Sequence, residues 1–315
     1  MNVLSLFDGI SCGRLALDKA GKRVDCYFAS EIEQSAIEIS QRNYPDIVQL
    51  GDVTKIDEVK LQKLPKIDLI FGGSPCQGFS RNGKMLNFGD ARSRLFFDYV
   101  RILEWIRKYN NKDVKFILEN VHMKKEHEDV ITEYLGVSPL DINSKLFSAQ
   151  NRPRLYWTNI EVEVPSDKGI NLIDILEPVD TSDFIRKDGL LFDKKLSSNA
   201  IDLVEVVDGE VRVKQATKKG YIVAQLGDGV NLSFPTSKTR RGRVIKGKSN
   251  TLDRSCEASV YHRGVIRRLT IEELEKLQTL PVGYTEGVSE RQRMRAIGNG
   301  WTVDVIAHIL ENMAC

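Results

Sequence analysis

Four side chains in this sequence are of types that could do covalent and acid–base chemistry together: Cys76, Glu119, Arg152 and Arg154. Cys76 sits in "GGSPCQGFS" (Gly72–Ser80), directly after the apolar run "IDLIF". A thiolate nucleophile needs partial exposure and a nearby helix N-terminus or cation. Glu119 closes another apolar run, in "LENV". A buried carboxylic acid can be held protonated and donate its proton. Arg152 and Arg154, in "AQNRPRLYW", are two residues apart and so share one face of an extended segment. Each offers a fixed fork of donors suited to a phosphate or a base oxygen. Taken singly, each has a plainer reading: an inert packed thiol, a strand-end acid, a surface arginine pair. Two reactive groups at adjacent strand ends shift the balance towards function.

A second set points to a ligand. "FDGISCG" is a glycine-bearing turn between a strand and a helix, which lets backbone come close to a bound molecule. It lacks the G-x-G-x-x-G spacing and has no Walker lysine, so a pyrophosphate is disfavoured. Glu31 ends the next strand, where a carboxylate can accept both hydroxyls of a ribose. Asp52 ends the third, placed to accept from an exocyclic amine. The set predicts a nucleoside ligand with no phosphate cradle.

The elements that must position these residues are short apolar runs alternating with helical segments. Strands are predicted at Asn2–Phe7, Val24–Glu31, Ile47–Val53, "IDLIFGGS", Val114–Val121 and "RLYWTNIEV", and helices at "GRLALDKAG", "EQSAIEISQRNY" and Ser93–Tyr109. This alternation implies an α/β doubly wound, mostly parallel sheet, with its site beyond the carboxyl ends of the strands. Residues 166–265 instead carry short alternating runs such as "VEVVDGEVRVKQA", which read as a smaller, mostly β unit. Leu269–Pro281 reads as an amphipathic helix, with Thr270 as N-cap and Glu273 completing a capping box. A closing helix follows in "WTVDVIAHILENM". The division expected is a first domain over 1–165, completed by about 290–315, and a second over 166–289.

Charge is uneven. The 315 residues carry a net +2, yet Arg212–Arg268 holds 14 Lys/Arg against 3 acids, a footprint for a polyanion. Hydrophobic content of 41% suits a globular protein with a sizeable core. No run approaches the ~18 apolar residues of a membrane span, and the N-terminus has no secretory pattern. The five cysteines include no C-x-x-C pair, so no zinc site or disulfide framework is indicated. A cytoplasmic protein is expected, with no metal.

The set "LFDGISCG", "GGSPCQGFS", "ENV", "QNRPR", "RRLTIEELEKLQTLP" and "AIGNGWTVDVI", in that order along nearly the whole chain, resembles the cytosine-5 DNA methyltransferases. "VLSLFDGIS", "YFASE" and "SRLFFDYVRIL" are similar to the animal de novo enzymes, while the Leu269–Pro281 helix and closing Gly-Asn segment look like prokaryotic and phage ones. The resemblance implies the S-adenosylmethionine-dependent fold, S-adenosylmethionine as cofactor and S-adenosylhomocysteine as product. It places Phe7, Asp8 and Gly9 at the methionine end and Glu31 at the ribose, with Ile10 and Ile32 also in the cofactor site. Asp52 and Val53 flank the adenine, and Pro75, Leu95, Asn299, Gly300 and Trp301 complete the pocket. It makes Cys76 the nucleophile on carbon 6 of a flipped cytosine, Glu119 the group acting on ring nitrogen 3, Arg154 the ligand of the cytosine carbonyl, and Arg152 a residue that steadies the site or a phosphate. Ser80, Arg81, Arg240, Arg241 and Arg243 become contacts to double-stranded DNA, and the loop through "RNGKMLNFGDAR" a lid. A monomer is expected, with or without a partner restriction endonuclease. Two alternatives on the same scaffold are a transfer-RNA cytosine-5 methyltransferase and a catalytically silent DNA-binding regulator; a nucleotide-dependent oxidoreductase is disfavoured by the missing dinucleotide fingerprint.

Overall fold

Alternation of buried positions builds a sheet covered on both faces. The apolar runs form β1 (Asn2–Leu6), β2 (Cys26–Ser30), β3 (Val48–Gln49), β4 (Leu69–Gly72) and β5 (Lys115–Asn120). In the computed structural model, which describes residues 1–74 and 91–313, these five pair in parallel. β6 (Leu140–Asn143) and β7 (Pro153–Thr158) complete the order β3-β2-β1-β4-β5-β7-β6, with β7 antiparallel to both its neighbours. The strand order reverses at β1 and β4, so the crevice for a ligand opens there, beyond their carboxyl ends.

Val3, Leu69, Phe71, Ile117 and Tyr156 face one side, packing with α1 (Cys12–Lys19), α2 (Gln34–Asn43) and α9 (Val303–Glu311). Leu4, Leu6, Ile70, Phe116, Leu118 and Trp157 face the other, against α4 (Ala91–Tyr109) and α5 (Lys125–Leu135). In α4 the fully buried Phe96, Tyr99, Ile102 and Ile106 recur at helical spacing. A short α3 (Glu58–Gln62) precedes β4.

Two departures from the sequence reading stand out. The third strand shrinks to Val48–Gln49, because it is an edge strand and Gly51, at φ 75°, and the cap at Asp52 turn the chain away. The sixth strand, Leu140–Asn143, has too few apolar positions to register as a strand by pattern.

Beyond β7 lie two further sheets. β10 (Val204–Val207), β11 (Glu210–Lys214) and β12 (Tyr221–Ala224) form an antiparallel three-stranded sheet. β8 (Ile185–Lys187), β9 (Leu190–Phe192), β13 (Gly229–Asn231), β14 (Arg243–Ile245), β15 (Ser259–His262) and β16 (Val265–Arg268) form a six-stranded one, antiparallel except between β9 and β16. A small core around Phe192, Val213, Val230 and Ile266 joins them with α6 (Ser198–Ile201). α7 (Ile271–Leu277) begins with the anticipated Thr270–Glu273 capping box, and its Leu274 and Leu277 join the core of the seven-stranded sheet. α8 (Glu290–Asn299) leads into α9.

Candidate active site

A cleft of about 570 Å³ opens at the strand-order reversal. Its floor is the turn after β1. Phe7, Gly9 and Ser11 all take positive φ, near 60°. Two of them are not glycine, so strain is held at this turn, as is common where structure serves a ligand. The turn brings the Gly9 N–H to Glu31 Oε2 at 2.8 Å. Glu31 Oε1 accepts from the N–H groups of Ile32 (2.7 Å) and Glu33 (2.9 Å). Three backbone donors therefore fix this carboxylate at the cleft wall. Asp52 caps the turn over Val53–Lys55 through Oδ1, which accepts from the backbone N–H (2.9 Å) and hydroxyl (2.8 Å) of Thr54. Those hydrogen bonds hold the Asp52 carboxyl below its ordinary range.

Phe7, Gly9, Ile10, Glu31, Ile32 and Asp52 line the cleft, as do Val53, Leu95 and Asn299. Asp8 does not: its carboxyl turns inward, accepting from Ser11 Oγ at 2.5 Å and Tyr27 Oη at 2.8 Å. Burial pushes it up to about 6. Gly300 and Trp301 also stand off the lining. The Gly300 carbonyl accepts from Gln278 Nε2 (3.0 Å) and Arg152 Nη2 (3.1 Å). Pro75, Cys76, Ser80, Arg81 and the expected lid lie outside the described residues.

One end of the cleft lies at β5 and β7. Glu119 is in register with Tyr156, so Arg154 is its diagonal cross-strand neighbour on the same face. Arg154 Nε lies 2.8 Å from Glu119 Oε1 as an ion pair, its N–H angled off the line of a hydrogen bond, and both side chains are 13% exposed. Trp301 Nε1 donates to the other oxygen, Oε2, at 3.2 Å. Arg152 follows a different course. It is 5% exposed, and its guanidinium donates to the carbonyls of Leu252 (2.9 Å), Gly300 (3.1 Å) and Gly298 (3.4 Å). Burial lowers it to about 10. These hydrogen bonds tie the start of β7 to the loop at Leu252 and to the end of α8. Gln150 adds to this joint, donating to the Leu277 carbonyl and to Gln278 Oε1, each at 3.1 Å.

Several wall residues carried no signal in the sequence. Leu252, Asp253 and Arg254 arrive from the loop before β15, and Arg295 arrives from α8, where it pairs with Glu33 at 2.5 Å. Asn120 and Val121, within "ENV", Gly73 and Ser74, within "GGSPCQGFS", and Ala296 and Gly298, within "AIGNGWTVDVI", are wall residues that a motif could have marked. Arg240, Arg241 and Arg243 lie apart from the cleft, exposed, with no carboxylate partner among the described residues; Arg240 stacks over Phe234 at 4.4 Å. No group of residues able to hold a metal occurs among the described residues.

The cleft suits a nucleoside-bearing cofactor: an anchored carboxylate, a second acid one strand away, backbone at close approach, and no cationic phosphate cradle in the turn. The seven-stranded sheet with its reversed β7 is that of the S-adenosylmethionine-dependent methyltransferases. Among solved structures, the Entamoeba histolytica methyltransferase EhMeth superposes with a TM-score of 0.65 at 18% identity, covering 99% of this chain and 97% of that one. Dnmt2 of S. pombe does so at 0.63 and 17%, covering 99% and 97%. The chain belongs to the C-5 cytosine-specific DNA methylase family, whose profile matches residues 1–315. It is 30% identical to the type II methyltransferase M.HpaII of Haemophilus parainfluenzae, over 96% of this chain and 86% of that protein, and 26% identical to M.HhaI of Haemophilus parahaemolyticus, over 99% and 94%. The match to M.NgoBV of Neisseria gonorrhoeae is 36% identical but spans only 58% of this chain and 49% of that protein.

Proposed function

We propose that the protein transfers a methyl group from S-adenosylmethionine to carbon 5 of a flipped cytosine in double-stranded DNA. The observation that carries the reading is the Glu119–Arg154 pair at the end of a cleft that also holds Glu31 and Asp52. Nitrogen 3 and the carbonyl oxygen are adjacent on a pyrimidine ring. A carboxyl and a guanidinium side by side match that edge, one acting on nitrogen and the other donating to oxygen. A base reaches such a pocket only after leaving the duplex stack.

The cofactor, when bound, supplies an electrophilic methyl on sulfonium. Glu31 would hold its ribose and Asp52 its adenine amine. Cys76 would attack carbon 6, and Glu119 would protonate nitrogen 3 so that negative charge does not build up in the ring. Once carbon 5 carries the methyl group, a base would take the carbon-5 proton, the thiolate would leave carbon 6, and the nitrogen-3 proton would return to Glu119. Arg154 would hold the carbonyl oxygen while Arg152 keeps β7 joined to the α8–α9 turn. Residues 166–289, with their basic block and exposed Arg240, Arg241 and Arg243, would form the target-recognition part.

No helix among the described residues is long and apolar enough to cross a membrane. We place the enzyme in the bacterial cytosol as a monomer, serving beside a restriction endonuclease or alone. Incubation with duplex DNA and methyl-labelled cofactor tests the reading, with transfer RNA as competitor. Label on carbon 5 of DNA cytosine, abolished by Cys76→Ser, is the expected result. Label only on RNA, or none, refutes it. Bisulfite sequencing of DNA from expressing cells then gives the site.

A further inference from the structure

We infer that Trp301 is the positioning residue of Glu119: its indole N–H fixes the rotation of the carboxyl that acts on the base. The inference rests on the function proposed above. Glu119 and Trp301 are 182 residues apart and meet through a single hydrogen bond, Nε1 to Oε2, at 3.2 Å. The indole has little freedom to leave. The Gly300 carbonyl before it is held by Arg152 and Gln278. After it, Thr302 Oγ1 donates to Gln278 Oε1 and lies 2.8 Å from Ser144 Oγ. The ring packs edge-on to Phe71, with centroids 5.8 Å apart and planes at 76°.

The chain leaving β4 makes room for this ring. A Cβ on Gly73 would stand 3.1 Å from Trp301 Nε1 and 3.3 Å from Cζ2, tighter than ordinary contact. The smallest residue is thus paired with the largest, and the pairing aims the indole at the carboxylate.

The chemical consequence follows from the two oxygens. Oε2 receives the neutral indole hydrogen at 3.2 Å. Oε1 faces Arg154 at 2.8 Å. Held by the indole on one oxygen and facing the guanidinium with the other, the carboxyl plane is fixed in rotation beside the group that takes the neighbouring carbonyl. A neutral donor orients the carboxyl without adding charge to it.

Trp301→Phe keeps an aromatic ring beside Phe71 and removes the N–H together with part of the indole. We expect kcat to fall about 10-fold or more while cofactor Kd changes by less than about twofold. A packing role alone predicts rescue by Phe, so parent-like kcat in this variant overturns the inference. Gly73→Ala should cost kcat with Trp301 present and add little in the Trp301→Phe background; equal cost in both backgrounds also overturns it. A readout independent of activity is the indole 15N–1H signal, assigned by its loss in Trp301→Phe. It should move in Glu119→Ala protein without ligands, and an unmoved signal overturns the contact. If the parent chain methylates no cytosine, the proposed function falls, while the indole signal still decides the Trp301–Glu119 pairing.

Discussion

Gln150→Leu separates the joint behind the active site from the site itself. Gln150 is fully buried, and its side chain makes three hydrogen bonds to two other segments. Its Oε1 accepts from the Leu252 N–H at 3.0 Å, and its Nε2 donates to the Leu277 carbonyl and Gln278 Oε1. Leucine has nearly the same size and no hydrogen-bonding group. The Leu252 N–H and the Leu277 carbonyl would each lose this partner away from water, at a cost of ~1–3 kcal/mol apiece. Gln278 Oε1 keeps its donor from Thr302 and adds little. Burying more apolar surface offsets about 1 kcal/mol of the loss. The net destabilisation is about 3 kcal/mol. With an unfolding entropy of ~2.1 cal/mol/K per residue, a chain of this length loses roughly 5 °C in Tm. Differential scanning calorimetry of parent and variant measures the shift. Hydrogen exchange at Leu252 locates it, since that N–H should exchange faster than its neighbours. A Tm within about 1 °C of the parent, with Leu252 exchange unchanged, refutes the reasoning.

Asp8 titrates near 6 because it is buried, so the folded chain keeps a proton that the unfolded chain has released between about pH 4 and pH 6. The stability this proton provides is complete at low pH and is lost as pH rises through 6. Relative to Asp8→Asn, the parent should lose about 1 kcal/mol between pH 5 and pH 7.5 in urea melts; a constant difference refutes this. Cys12 and Cys256 are buried and pushed up to about 12, whereas Cys26 is exposed. Iodoacetamide at neutral pH should label Cys26 and spare the other two until the chain unfolds, which peptide mass spectrometry reads directly. Replacing Arg240, Arg241 and Arg243 together with Ala should flatten the salt dependence of duplex binding, by up to about 3 in the log–log slope; an unchanged slope removes them from the interface.

The sequence by itself determined the chemistry on offer and the fold class. Reactive residue types at strand ends, and apolar runs alternating with helices, are local facts that fixed spacing makes legible. The Thr270–Glu273 box was readable for the same reason, since its two reciprocal hydrogen bonds span three residues. Only the tertiary structure decided which groups touch. The inward turn of Asp8 depends on Tyr27, and the separation of Arg152 from Arg154 depends on carbonyls at Leu252, Gly298 and Gly300. Two arginines on one extended face looked equivalent by pattern. One became a buried tie and the other a partner of Glu119, because β7 runs antiparallel to β5 and sets Arg154 diagonal to Glu119. Trp301 belonged by motif to the cofactor pocket, yet its hydrogen bond goes to a residue 182 positions away. Contacts of that range arise from strand register and helix packing, which no local pattern encodes.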